Sequence, residues 1–392
     1  MPQPANRLFS FPDYPLATLG RRVEELRAQG IDIINLDVGS PDMPPPDVVI
    51  DTLCETANKS NTHGYSGYRG LKAFREAVAR YYARRFGVEI DPETQVLPLV
   101  GSKEGIVNLC LAYLDHGDVA LVPDIGYPSY SLGAYLAGAS VHWIPVSEEA
   151  GYLPDFEALS QNLPAGAKLL WLNYPNNPTG AVASPDFYQR AVNFCRKHDL
   201  LLASDNPYVD VTYDGFHASS VLQAAGALEN TIEFISFSKT YNMAGWRLGA
   251  AVSSQTTIKN LLQVKSNFDS GHFIPIYESG ITAIDEISQS WIHDRNMVYQ
   301  RRRDIMLEVL PQVGLAPFHP GGALYVWAKV TDPSLNGASY AEQALINAHV
   351  SMAPGIIYGP GGTQYVRLSM CTTDDRLRQA LERLKHWYQE RS

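Results

Sequence analysis

One lysine stands alone over a long stretch of this sequence. Between Lys197 and Lys259 the only lysine is Lys239, which closes the Ser-Phe-Ser-Lys run of SFSKTYNMAGWRLG at 236–249. The apolar run IEFISFS leads into it, and Arg247 follows eight residues later. A lysine held among apolar neighbours loses its proton more easily than one in water. A neutral amine can then form a Schiff base with a carbonyl compound. On this stretch alone, an ordinary loop lysine explains the residues equally well.

Four further stretches carry reactive or anion-binding types. In LLASDNPY (201–208), Asp205 ends an apolar run and Tyr208 follows three residues on. A carboxylate at a buried strand end needs a cationic or donor partner, though a helix cap or a structural ion pair would also supply one. NYPNNPTG (173–180) reads as a tight turn that includes Asn177. VGSKEGI (100–106) places Gly101, Ser102 and Lys103 where a strand gives way to a helix. Free backbone N–H groups at such a start suit a phosphate, and an N-cap by Ser102 explains the same residues. The spacing is not that of a Walker A loop. In YVRLSM (365–370), Arg367 alternates with apolar residues, as a strand arginine with an anionic partner would. Its planar guanidinium suits a carboxylate, from a ligand or from the chain itself.

The elements needed to position these residues are legible. VLPLVG, VALVPD, SVHWIPV, KLLWLNYP, LLASDNPY, IEFISFS and RLGAAVS read as seven short apolar strands. Helix-length amphipathic stretches lie between most of them, such as 103–114, 184–199 and 217–226. This alternation predicts an α/β fold with a mostly parallel sheet covered on both faces. Ligands of such a sheet sit at the carboxyl ends of its strands. Earlier in the chain, 19–28 reads as a helix, IDIINLDVG as a short strand, and 48–85 as two helices around SNTHGYSGYRG. After about residue 285 the texture changes. WIHDRNMVYQRRRDIMLEVL reads as a long charged helix, GALYVWAKV and QYVRLSM as strands, and a closing helix begins at Asp374. We therefore expect a large α/β domain at 47–287. A smaller α+β domain is expected from 1–46 and 288–392.

Composition narrows the function classes. The chain has 392 residues, 31 Lys plus Arg and 41 Asp plus Glu, for a net charge of −10. That balance weighs against a partner such as nucleic acid or an anionic membrane surface, while leaving room for a local anion pocket. Four cysteines with no CxxC spacing predict neither a local zinc site nor a disulfide framework. No apolar stretch is long enough to span a membrane, and the first residues lack the pattern of a secretory signal, so a cytoplasmic location is expected.

Each motif is modest by itself, but their order is specific. Gly-Ser-Lys is followed by the aromatic loop Gly126-Tyr127-Pro128, then NNPTG, Asp-x-x-Tyr, Ser-x-Ser-Lys with its Arg, and a late Arg. This series resembles the fold-type I, class I/II aminotransferases that depend on pyridoxal 5′-phosphate (PLP). The resemblance runs from about Pro12 to the closing helix. It is similar above all to the branch of LL-diaminopimelate, alanine and aspartate aminotransferases, through INLDVGSPD, VLPLVGSKEGI, LNYPNNPTGAV, SFSKTYNMAGWRLG and VKSNFDSG.

The resemblance implies a role for each residue. Lys239 would hold the cofactor covalently and shuttle a proton. Asp205 would pair with the pyridine nitrogen. Tyr208 and Asn177 would bond the phenolic oxygen, and Tyr127 would stack on the ring. Gly101, Ser102, Lys103, Ser236, Ser238 and Arg247 would surround the phosphate. Tyr65 would reach the phosphate of a neighbouring subunit, which implies a homodimer. Arg367 would clamp the substrate carboxylate, aided by Gly39 and Asn177, and Tyr14 would lie over the substrate.

Ala244, Tyr358, Ser40, Asn206 and Pro207 depart from the branch's usual residues. Side-chain selectivity lives in such peripheral positions. The implied substrates are therefore LL-diaminopimelate, or alanine or aspartate with 2-oxoglutarate. A lyase or synthase on the same fold is the alternative. A DNA-binding regulator of this fold would need more than the roughly 45 residues that precede the core.

Overall fold

A computed structural model describes residues 2–5, 9 and 15–391. The strands in chain order are β1 (Ile34–Asn35), β2 (Val96–Leu99), β3 (Val119–Pro123), β4 (Ser140–Ile144), β5 (Ala167–Leu172), β6 (Leu201–Asp205), β7 (Thr231–Ser236) and β8 (Gly249–Ser253). There follow β9 (Leu315–Pro317), β10 (Tyr325–Val330), β11 (Val350–Ser351), β12 (Ala353–Pro354) and β13 (Tyr365–Ser369).

β2 to β8 form one seven-stranded sheet in the order β2-β8-β7-β6-β5-β3-β4. Only β8 runs antiparallel to its neighbours. All seven strands are those expected from the apolar runs. Val96–Leu99, Thr231–Ser236 and Gly249–Ser253 are buried throughout, as strands covered on both faces must be. Covering helices start where the sequence supplies caps: the Ser184 side chain accepts from the Phe187 N–H, with Pro185 next, and Ser254 accepts from Thr257.

A second sheet, β12-β13-β10-β9, is antiparallel. It packs in its own core cluster with residues of the helices Gln289–Val309 and Asp374–Glu390. The first of these helices buries Ile292, Arg295, Tyr299, Arg302, Arg303 and Met306, a 3–4 residue stripe that fits the predicted long amphipathic helix. The expected strand in IDIINLDVG shrinks to β1, which pairs with the equally short β11.

One expected element is absent as drawn. The helix predicted over 217–226 is instead a single turn, Val221–Gln223, then a bend at Gly226 (φ 74°) before Ala227–Asn230. The cause is Glu233, fully buried on β7. Its carboxylate takes hydrogen bonds from Ser220 Oγ (2.6 Å), Tyr82 (2.9 Å) and the Val221 N–H (3.1 Å). A buried carboxylate without a cation must collect donors. The backbone at 220–221 supplies them by leaving the helical path.

Candidate active site

The carboxyl ends of β6 and β7 open into a cavity of ≈ 220 Å³. Its walls include Gly39, Ser102, Lys103, Tyr127, Asn177, Asp205, Tyr208, Ser236, Ser238, Lys239, Arg247 and Arg367. These are twelve of the residues singled out from the sequence, drawn from segments hundreds of positions apart.

The floor is built by β6 and β7. Asp205 closes β6 and is buried. Its Oδ2 accepts from the Tyr130 hydroxyl (2.8 Å), and the Tyr130 ring stacks on Trp171 (4.7 Å between centroids). Its Oδ1 has no partner among the described residues. Burial pushes the Asp205 carboxyl up to about 7, against the hydrogen bond from Tyr130. A buried, half-satisfied carboxylate is costly and is met by a cationic N–H donor.

Beyond β7 the chain makes one helical turn, Phe237–Thr240, capped by Ser236, whose side chain accepts from the Ser238 N–H. That turn carries Lys239, whose Nζ donates to the carbonyl of Gly39. Burial, reinforced by Arg367 and Arg247, pulls the Lys239 ammonium down to about 8. At pH 7 roughly a tenth of such amines are neutral, far more than for a lysine in water.

One end of the cavity is shaped for an anion. The helix Ser102–Tyr113 begins there, with Gly101 at its N-cap (φ 77°) and Ser102 as its first residue. The alternative reading of Ser102 as an N-cap does not hold: Gly101 takes that position, with no side-chain cap bond, because the chain turns there through a left-handed conformation open to glycine. A Cβ at Gly101 would also fall 2.2 Å from Arg247 Nη2. Arg247 sits at φ 57°; its Nη1 donates to the Ala244 carbonyl (2.9 Å) and reaches Ser238 Oγ (3.5 Å). Open helical N–H groups, a lysine and an arginine make an anion cradle.

The wall opposite belongs to β13 and β10. Arg367 is buried, donating from Nη1 to Asn177 Oδ1 (3.0 Å) and from Nη2 to the Asp37 carbonyl. Its guanidinium lies over the rings of Tyr325 (4.0 Å) and Tyr358 (4.9 Å). Burial alone would lower its pKa; Tyr358, Tyr325, Tyr208 and Asp37 outweigh burial and hold it above its ordinary value. Asn177 is itself fixed, its N–H donating to Asn173 Oδ1 (2.8 Å).

Asn173, Pro207, Ala244 and Tyr325 also line the cavity and were not assigned there from the sequence. Asn173 lies inside the NYPNNPTG motif and could have been found from it. Tyr325 sits in a run legible only as a strand. Gly101 stands behind Arg247 rather than on the wall. Tyr65 is 91% exposed and is not part of the cavity within one chain. Tyr14 lies outside the described residues.

The residues present fit PLP. The unpartnered Asp205 oxygen suits a ring N–H, the low-lying Lys239 amine suits an aldehyde carbon, and the Gly101–Lys103 start with Arg247 suits a phosphate.

Comparison with known proteins agrees with this chemistry. A family model described as aminotransferase class I and II matches residues 31–384. The chain is 44% identical over 383 residues to an LL-diaminopimelate aminotransferase of Moorella thermoacetica, covering 98% of each. Among solved structures it is similar to substrate-bound BacF of Bacillus subtilis (TM-score 0.93, 34% identity, 98% of each chain). It is also similar to a probable N-succinyldiaminopimelate aminotransferase of Thermus thermophilus (TM-score 0.88, 34% identity, 95% of this chain and 99% of that one).

Proposed function

This chain belongs to the class I and II aminotransferases, and from that membership we propose that its amino donor is LL-diaminopimelate and its acceptor 2-oxoglutarate. The enzyme is a PLP-dependent transaminase of small amino and oxo acids. The observation that carries the donor is the full-length 44% identity to the Moorella enzyme of that name.

When bound, PLP supplies an electrophilic carbon for the amine and a sink for the electron pair left at the substrate Cα. The chain's residues do the rest. Asp205 Oδ1 would hold the ring N–H and keep it protonated. Tyr208, with Asn177, would bond the phenolic oxygen, and Tyr127 would cover the ring. Ser102, Lys103, Ser236, Ser238 and Arg247, with the backbone at Gly101, would take the phosphate. Arg367 takes the substrate α-carboxylate in a bidentate grip, with Asn177 and the Gly39 backbone beside it. That grip orients the Cα–H bond, so that proton loss prevails over loss of CO₂. Lys239 Nζ takes the Cα proton, its low-lying pKa suiting it to act as a base near neutral pH.

The assembly in this reading is a cytoplasmic homodimer. Tyr65 and Tyr68, 91% and 55% exposed, support it: large exposed aromatics suit an interface, where Tyr65 would enter the other subunit's phosphate site. The large domain spans residues 47–287, and the small domain combines residues 1–46 with 288–392. The seven-stranded sheet lies wholly within the first range and β9 to β13 within the second. Among the described residues, no helix is long and apolar enough to cross a membrane.

The test is a donor panel with 2-oxoglutarate as acceptor. LL-diaminopimelate should show the highest kcat/KM, above alanine and aspartate. A higher value for either of those reassigns the donor, and release of ammonia in place of glutamate formation would sink the transaminase reading.

A further inference from the structure

Tyr325, on β10, is a residue of the cavity wall that touches three parts of the site at once. Its hydroxyl lies 2.9 Å from the hydroxyl of Tyr208, and either can donate. Its ring face carries the guanidinium of Arg367 at 4.0 Å. A Cβ on Gly39 would fall 1.9 Å from its hydroxyl, so Gly39 must stay bare for the loop to close over it. Tyr325 and Tyr208 are both buried. Burial first, then Tyr325, holds the Tyr208 hydroxyl well above its ordinary range, so at neutral pH Tyr208 keeps its proton. The charged and titratable groups around the pair are Arg367 from β13, Asp205 from β6, Lys239 from the turn after β7, Tyr130 from the helix Ser129–Leu136, Tyr358 from the turn Gly355–Tyr358, and Tyr127 from a loop.

We propose that Tyr325 is a positioning residue with two separable roles: its hydroxyl donates to Tyr208, and its ring face seats Arg367. Tyr208 has one proton. Once that proton points at the cofactor's phenolic oxygen, the contact between the two hydroxyls can be kept only with Tyr325 as donor. Donation into the Tyr208 oxygen polarises its O–H and makes it a stronger donor in turn. The ring, meanwhile, holds a desolvated guanidinium by its π face while leaving the edge of Arg367 for a carboxylate. One side chain thereby ties the carboxylate clamp to the group that tunes the cofactor. The proposal rests on the placement of Tyr208 given above.

The experiment uses the holoenzyme and two readouts that are not activity. One is the pH midpoint of the visible absorbance band. The other is the Kd of maleate, an unreactive dicarboxylate, measured by calorimetry. Tyr208→Phe should raise the midpoint by about one pH unit, since loss of a donor to the phenolic oxygen disfavours its anion. Tyr325→Phe should raise it by about half a unit, and the double variant no further than Tyr208→Phe alone. Tyr325→Phe should leave maleate affinity within about twofold, whereas Tyr325→Leu should weaken it about three- to tenfold. A Tyr325→Phe shift that persists undiminished in the Tyr208→Phe background overturns the hydroxyl role, as does no shift where Tyr208→Phe gives one. Wild-type maleate affinity in Tyr325→Leu overturns the ring role. An unmoved midpoint in Tyr208→Phe is a different failure: it removes the placement of Tyr208, and the proposal with it.

Discussion

The floor and the wall of the cavity handle buried charge in opposite ways. On the floor, Asp205 and Lys239 are both pushed toward their neutral forms, to about 7 and about 8, because burial strips their solvent and the chain supplies too little in exchange. On the wall, Arg367 is as deeply buried yet keeps its charge, because aromatic faces, an amide oxygen and a backbone carbonyl surround it. The floor is thus incomplete without its cofactor, while on the wall two of the three guanidinium nitrogens of Arg367 are paired and Nε alone is left open. The two groups that meet the cofactor are drawn toward neutrality, and the group that holds the substrate anion keeps its charge.

Substitutions should separate the two regions. Lys239→Ala removes the base and should lower kcat by on the order of 10⁴-fold or more, seen in single-turnover kinetics. Asp205→Ala should follow, at roughly 10²- to 10³-fold in kcat. Arg367→Lys should cost about 10²-fold in kcat/KM, carried mainly by KM, because an ammonium cannot reproduce the bidentate grip. A fall in kcat with KM unchanged for Arg367→Lys would erase the division between floor and wall.

A further effect, confined to the cofactor-free protein, is on stability. The Asp205 carboxyl is raised from its ordinary 3.8 to about 7. Between those values the folded chain binds a proton that the unfolded chain has released. Stability of the cofactor-free protein therefore falls as pH rises through that window. Asp205→Asn should remove on the order of a few kcal/mol of that decline, measured by urea unfolding at pH 4.5 and 7.5. An unchanged slope would show that Asp205 is already satisfied in the bare chain.

The two regions also differ in how far they could be read beforehand. Asp205, Ser236 and Lys239 sit at strand ends whose apolar runs announce them, so both the strands and the residues were legible. Arg367 was legible as an oddity in an apolar strand. Its setting was legible only in Asn177, which the resemblance had placed beside it; Tyr325, Tyr358 and Asp37 meet it only through tertiary packing. The missing helix at 217–226 has the same origin, because the buried Glu233, on the strand beyond it, dictates the path. Tyr65 belongs to neither region in a single chain, where it is exposed; the proposed homodimer would give it a place.

The most direct test follows nitrogen. PLP-loaded enzyme is mixed with one equivalent of ¹⁵N-labelled LL-diaminopimelate and no acceptor, and the cofactor is then released and weighed by mass spectrometry. The account predicts an aminated cofactor carrying one ¹⁵N, which passes to glutamate when 2-oxoglutarate is added. Label recovered as free ammonia, with the cofactor unchanged, would contradict it.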